Sequence, residues 1–164
     1  MSFLTGKLVW AGDSITANNH NSPNPGFPEL TATQLSADGF TVSNHNIGVP
    51  SSTCDSAGQA STVVGLYDAG KQKNYCMILF GANDGAVPKT SAQFHIDLAA
   101  FVATVEAAGF LAVIITMLPC GSYASTAFRA AINATTRSTY GRVIDFGDTG
   151  TTMGAETAEN NGTL

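Results

Sequence analysis

Five short apolar runs alternate along this chain with segments of helical periodicity, and that alternation restricts the fold more than any other feature of the sequence. The runs lie at residues 7–11, 40–44, 75–80, 110–117 and 142–146. Tyr75-Cys76-Met77-Ile78-Leu79-Phe80 is continuously apolar, as a strand covered on both faces is, and the stretch from Phe110 to Met117 reads as the most apolar strand in the chain. Phe40-Thr41-Val42-Ser43-Asn44 alternates and reads as a strand of period two. Helices are expected from Pro28 to about Ala37, over residues 56–69, from a Ser91 cap to about Ala108, and from about Thr126 to Thr139. The third of these is the most regular: Phe94, Leu98, Phe101, Val102 and Val105 recur at helical spacing, and Gly109 closes it. Inward positions expected in the others are Leu30 and Leu35, then Val63, Val64, Leu66 and Tyr67, then Phe128 and Ile132. Strand and helix in such alternation predict a parallel sheet with helices on both faces and right-handed crossovers.

At 164 residues the chain suits one domain over residues 1–164, and 44% hydrophobic residues place it among globular proteins. Its net charge of −5, with no cluster of Lys or Arg, argues against nucleic acid or an anionic membrane as partner. No apolar run approaches the roughly 20 residues that span a bilayer. No basic segment followed by an apolar stretch and a cleavage site is visible at the start, which leaves extracellular and cytoplasmic locations open. The three cysteines form no C-x-x-C pair, so neither zinc nor a disulfide framework is indicated, and no metal or cofactor is expected. Cys76 reads as a small core residue; Cys54 and Cys120 fall in loops, and a bridge between them stays open. Phosphate-binding patterns of the G-x-x-x-x-G-K-[ST] and G-x-G-x-x-G types are lacking.

In parallel sheets ligands collect at the carboxyl ends of the strands. Three polar loops are expected there: Gly12-Asp13-Ser14 after the first strand, Asn46-Ile47-Gly48 after the second, and Gly81-Ala82-Asn83-Asp84-Gly85 after the third. Gly12 allows a tight turn, and Ser14 falls where a helix would begin, beside unpaired backbone N–H groups. Ser14 can therefore be a nucleophile at an anion-binding site or a helix cap. Gly48 and Asn83 can be hydrogen-bond donors to a ligand or ordinary loop residues.

Taken in order, these three loops resemble the blocks of the SGNH, or GDSL, hydrolase family, and the resemblance extends over nearly all of the chain. It implies a three-layer α/β/α sandwich, flavodoxin-like, around a five-stranded, mostly parallel sheet. It also implies a serine ester hydrolase for small acyl esters, working without a cofactor; the polar composition and the lack of a lipid-binding stretch point to acetyl groups on carbohydrate. Ser14 would be the nucleophile, and the backbone N–H groups of Ser14 and Gly48 with the Asn83 carboxamide would form the oxyanion hole, each donor worth ~3 kcal/mol. Asp13 and Asp84 would brace their loops. The family's later D-x-x-H block supplies the base that a serine hydroxyl needs. That block does not occur here: the histidines are His20, His45 and His95, and the acids following the fifth run are Asp145 and Asp148. The chain is accordingly expected to be short of the family pattern at its C-terminus, weak or inactive as an esterase, and without the last helix. An apolar sheet face left open beside the first strand would favour a second copy or a partner segment. The alternatives on the same fold are a non-catalytic module that binds a carbohydrate or ester, and an assembly module.

Overall fold

The chain is described by a computed structural model over residues 5–18, 23–56, 58–87, 89–119 and 124–146. Cys120, His20 and Asp148 lie outside these residues. The elements in order are β1 (Thr5–Gly12), α1 (Phe27–Ala37), β2 (Thr41–Asn46), α2 (Gln59–Gly65), β3 (Lys73–Leu79), α3 (Ala82–Ala86), α4 (Ser91–Ala107), β4 (Leu111–Ile115), α5 (Thr126–Thr139) and β5 (Val143–Ile144). The strands form one sheet in the order β2-β1-β3-β4-β5, and every pairing is parallel. The strand order reverses between β1 and β3, whose carboxyl ends therefore flank the crevice where doubly wound sheets take their ligands.

The two-residue alternation of the strands divides the apolar side chains between two layers. Val9, Ala11, Cys76, Ile78 and Ile114 face α2, α4 and α5, where they meet Val63, Phe94, Leu98, Val105 and Ile132. Leu8, Trp10, Met77, Leu79 and Ile115 face the other way and meet Phe27 and Leu35 of α1. Trp10 packs edge-on against Phe27 with ring centroids 5.3 Å apart. This second layer also holds an apolar groove of about 520 Å³ between α1 and the β5 edge, lined by Trp10, Phe27, Met77, Leu79, Ile144 and Phe146 among others.

All five expected inward positions of α4 are buried. The expectations fail where a helix covers little of the sheet. The inward stripe of α1 runs through Phe27, Thr31 and Leu35, so Leu30 falls beside it and is 55% exposed. The second helix is a seven-residue piece ending at Gly65, not a span over 56–69; Val63 points in, while Val64 and Tyr67 are exposed. The cap of α4 is Thr90 rather than Ser91, its side chain accepting from the Gln93 N–H. β4 ends at Ile115; Thr116 N–H still donates to Ile144 C=O at 3.0 Å, and from Met117 the backbone has another partner, the Asn133 carboxamide, which accepts from Met117 N–H at 2.8 Å and donates to Met117 C=O at 3.0 Å. Among the described residues no helix is long and apolar enough to cross a membrane.

These differences in burial are measurable by urea denaturation. Leu98→Ala, in the α4 core, should lower stability by about 3 kcal/mol, whereas Leu30→Ala should change it by less than about 0.5 kcal/mol.

Candidate active site

The site is built on the last peptide of β1. Gly12 N–H donates to Gln59 Oε1 at 3.0 Å, and Gly12 C=O accepts from Gln59 Nε2 at 2.9 Å and from Val49 N–H at 2.9 Å. Gln59 thus presents a side-chain copy of a peptide group to the strand end. Its Nε2 also donates to Ser52 Oγ at 2.8 Å, and that hydroxyl lies 2.8 Å from Val49 C=O and 3.1 Å from Gly12 C=O. Gly12 must be glycine here: a Cβ would stand 2.2 Å from Thr16 Oγ1 and 2.4 Å from Leu79 C=O.

Beyond Gly12 the chain makes one helical turn over residues 13–18, closed by Ala17 N–H to Asp13 C=O at 2.9 Å. The side chain that caps it belongs to Asp13, whose Oδ1 accepts from Ile15 N–H at 2.9 Å. Ser14 is therefore not the cap. Its N–H and its hydroxyl have no hydrogen-bond partner among the described residues.

The second loop continues the β2–β1 pairing past the end of β2, with Ile47 N–H on Trp10 C=O and Val49 N–H on Gly12 C=O, both 2.9 Å. Gly48, between them, packs directly on the Ser14 turn. A Cβ at this position would lie 2.5 Å from Ala17 N and 2.9 Å from Thr16 C, both backbone atoms. The Gly48 N–H points to Asn46 Oδ1 at 3.1 Å, and Asn46 Nδ2 donates to Thr16 C=O at 2.7 Å. The third loop is α3 itself, where Asn83 Nδ2 donates to Ser52 C=O at 3.0 Å. One of its two amide hydrogens is thereby used and the carboxamide plane is fixed. Through Ser52 and Gly12, the loops carrying Ser14, Gly48 and Asn83 belong to one hydrogen-bonded rim.

Two buried carboxylates lie beneath it. Asp84 is wholly buried and accepts the Cys54 N–H at 3.1 and 3.2 Å and the Lys89 ammonium at 2.9 Å. Asp13 is 1% exposed. Burial, with a smaller contribution from the charge on Asp84, raises the Asp13 carboxyl to about 6 against the opposing pull of the Ile15 N–H. Both buried thiols are free and held protonated by their surroundings: burial pushes Cys76 up to about 12, and burial together with the charge of Asp84 raises Cys54 further. Neither is a nucleophile at neutral pH.

The other titratable candidates are placed elsewhere. His45 pairs in register with Val9, three residues before Gly12, or about 10 Å back along the sheet. Burial, with Lys7 nearby, holds its imidazole below the usual range. His95 is on α4 with its ring edge-on to Phe94, and burial lowers it as well. Asp145 follows β5 but is engaged by Arg137, at 2.6 Å and 2.9 Å, and by the Thr116 hydroxyl at 3.0 Å. Among the described residues no cluster of His, Cys, Asp and Glu is arranged to hold a metal ion.

The family profile for GDSL-like lipases and acylhydrolases matches residues 11–161, which carry all three loops. The chain belongs to the GDSL-like lipase/acylhydrolase family. No curated protein sequence matches it. Among solved structures it is similar to AlinE4, an SGNH-hydrolase family esterase, with a TM-score of 0.69 and 15% identity over 88% of this chain and 77% of that one. It is similar to the psychrotrophic esterase EstA from Pseudoalteromonas sp., solved as inhibited by monoethylphosphonate (TM-score 0.65, 19% identity, 85% and 76% covered). TesA is a third such structure (TM-score 0.64, 22% identity, 80% and 71% covered). At these identities the likeness shows the fold, an α/β sandwich of the SGNH-hydrolase kind.

Gln59, Ser52 and Asn46 were not singled out from the sequence. A lone Gln at the start of a short helix carries no pattern, and only the fold brings its carboxamide to Gly12.

The buried Asp13 predicts a pH dependence. Its folded-state value lies above the unfolded 3.8, so it favours folding while protonated, and that contribution is present below about pH 4 and lost as pH rises through about 6. Asp13→Asn keeps an acceptor for Ile15 and removes the titration. Relative to this variant, the native chain should lose roughly 2 kcal/mol between pH 4 and pH 7 in urea denaturation.

Proposed function

We propose that this chain is a serine ester hydrolase for small acyl esters, with acetyl esters of carbohydrate as the substrate class. Ser14 Oγ attacks the carbonyl carbon and gives its proton to solvent water, the C=O bond opens to a tetrahedral oxyanion, and on its collapse the ester C–O bond breaks, the departing alkoxide taking a proton from water to leave as the alcohol while the acyl group remains on Ser14. Water then releases the acid. The oxyanion is held by the Ser14 N–H, the Gly48 N–H and the Asn83 carboxamide. Gly48 exchanges its Asn46 partner for the oxyanion, and Asn83 uses the amide hydrogen that Ser52 does not take. These donors are neutral, and those of Ser14 and Asn83 need give up no partner among the described residues, the arrangement that stabilises a developing charge most effectively.

The observation that carries this reading is the state of Ser14. It sits on a turn capped by its neighbour Asp13, with hydroxyl and N–H both uncommitted among the described residues, while the loops on either side are tied together. A serine kept only for structure would be expected to bond something. The small, uncharged surface residues, with only 12% charged side chains in the chain, suit a carbohydrate ester better than a lipid.

Turnover by these 164 residues is proposed to be slow. They include no D-x-x-H, and of the described histidines His45 is set back along the sheet. A serine without its base retains only the contributions of the oxyanion hole and of binding. The absence of an imidazole at the described rim also favours, as a second reading, a module that binds an ester without turning it over.

Hydrolysis of p-nitrophenyl acetate separates the two. The native chain should exceed Ser14→Ala, and Asn83→Ala should lower kcat by roughly a hundredfold with little change in KM. Equal rates for the native chain and Ser14→Ala would remove the enzymatic reading.

A further inference from the structure

Lys89 stands in the connection between α3 and α4, outside the three rim loops. Its ammonium lies 2.8 Å from Asp55, 2.9 Å from Asp84 and 2.9 Å from Asp97. Its three hydrogens thus meet three carboxylates from three different segments: the loop before α2, α3 itself, and the second turn of α4. The Lys89 side chain is 9% exposed and that of Asp84 is fully buried, so this contact is shielded from water, whereas the Asp55 end is open. Burial alone would lower the lysine, but the three carboxylates outweigh it and hold the ammonium above its usual range.

The arrangement bears directly on Asn83. Asn83 donates to Ser52 C=O, and the next residue, Asp84, takes the Cys54 N–H with both oxygens. Two adjacent residues of a five-residue helix therefore grip one loop, and a helix this short has no stability of its own. Ala82 packs in the core at the start of that helix; the polar tie of α3 to α4, whose apolar stripe is rooted in the same core, is Lys89 through Asp84 and Asp97. Without the ammonium, Asp84 would be a buried carboxylate with one backbone donor, a state relieved by moving outward.

We infer that Lys89 is a positioning residue for the Asn83 carboxamide: seated among Asp55, Asp84 and Asp97, it fixes α3 and with it the direction of the Asn83 amide hydrogen left for a ligand. The catalytic meaning rests on Asn83 acting as proposed above; the link from Lys89 to Asn83 rests on the contacts alone.

The test follows the side-chain amide signals of Asn83 and Asn133 by NMR in the full chain, comparing native protein with Lys89→Met, Lys89→Arg and Asp97→Asn. In Lys89→Met, the Asn83 amide should exchange with solvent about tenfold faster or more, while that of Asn133, bonded to Met117, stays within about threefold. Lys89→Arg should retain most of the native protection, and Asp97→Asn, which leaves the lysine but cuts its tie to α4, should fall between. Unchanged Asn83 exchange in Lys89→Met, or an equal rise at Asn83 and Asn133, overturns the inference, the second because it would make Lys89 a general stabiliser. If Lys89→Met does not fold, unchanged Asn83 exchange in Asp97→Asn overturns it. With p-nitrophenyl acetate, Lys89→Met should lower kcat about tenfold with KM within about threefold. Equal hydrolysis by native chain and Ser14→Ala would defeat the esterase reading and leave the exchange data to judge Lys89 independently.

Discussion

Everything at the rim depends on how the Gly12 peptide is satisfied. It ends the central strand β1, and its N–H and C=O would otherwise face the crevice unpaired, at the cost that buried backbone groups incur. Gln59 pairs with both groups, and Val49 and Ser52 approach the same carbonyl. Those partners come from the loop after β2 and the start of α2, and Ser52 C=O in turn takes the Asn83 amide of the third loop. Meeting the hydrogen-bond needs of one strand end thus assembles the loops that the proposed chemistry requires. The same crowding explains the two glycines. A side chain at residue 12 would strike Leu79 C=O, and one at residue 48 would strike the Thr16–Ala17 backbone.

A second layer of the design is electrostatic. Asp13 and Asp84 lie close enough for the charge of one to raise the other, and both are buried. Each of the two has a fixed donor and only Asp84 has a cation: Asp13 has the Ile15 N–H and is raised to about 6, and Asp84 has the Cys54 N–H and Lys89. Lys89 in turn meets two more carboxylates, so the group remains net negative, in keeping with a chain of net charge −5. Negative charge near the rim would oppose the oxyanion of the proposed reaction. A lysine that neutralises Asp84, next to Asn83, would lessen this opposition at the proposed donor.

The sequence made the sheet and its long helix readable because both obey strong periodicities. The continuous run of β3 and the five-position stripe of α4 could hardly have served any other structure. Ser14, Gly48 and Asn83 were legible as loop residues following strands, since the strand rhythm places such loops at one edge. Leu30 and Tyr67 were misplaced because pattern alone records that a residue is apolar, not how much sheet lies opposite it. α1 covers only the β2–β1 side, and α2 is too short to turn two faces inward. Gln59, Asn46 and Lys89 were not legible at all. Each acts through a partner more than six residues away or in another segment, and only the three-dimensional arrangement brings a lone polar side chain to its counterpart.

The division between what this rim contains and what it lacks also has a physical basis. Hydrogen-bond donors come readily from a parallel sheet: its strand ends leave backbone N–H groups pointing into the crevice, and a few Asn and Gln side chains set them in place. A general base does not come that way. It needs a titratable group with a value near 7, aimed at the serine oxygen and backed by a second residue that holds its tautomer. In the described part of this chain the carboxylates are committed to other partners: Asp84 to Lys89, Asp145 to Arg137 and Asp13 to its own turn. Releasing any of them toward Ser14 would undo a contact that holds the rim or the edge strand. The contacts that hold the rim together thus use up these carboxylates, and in the proposed reaction a base for Ser14 would have to come from outside the described strand-end loops.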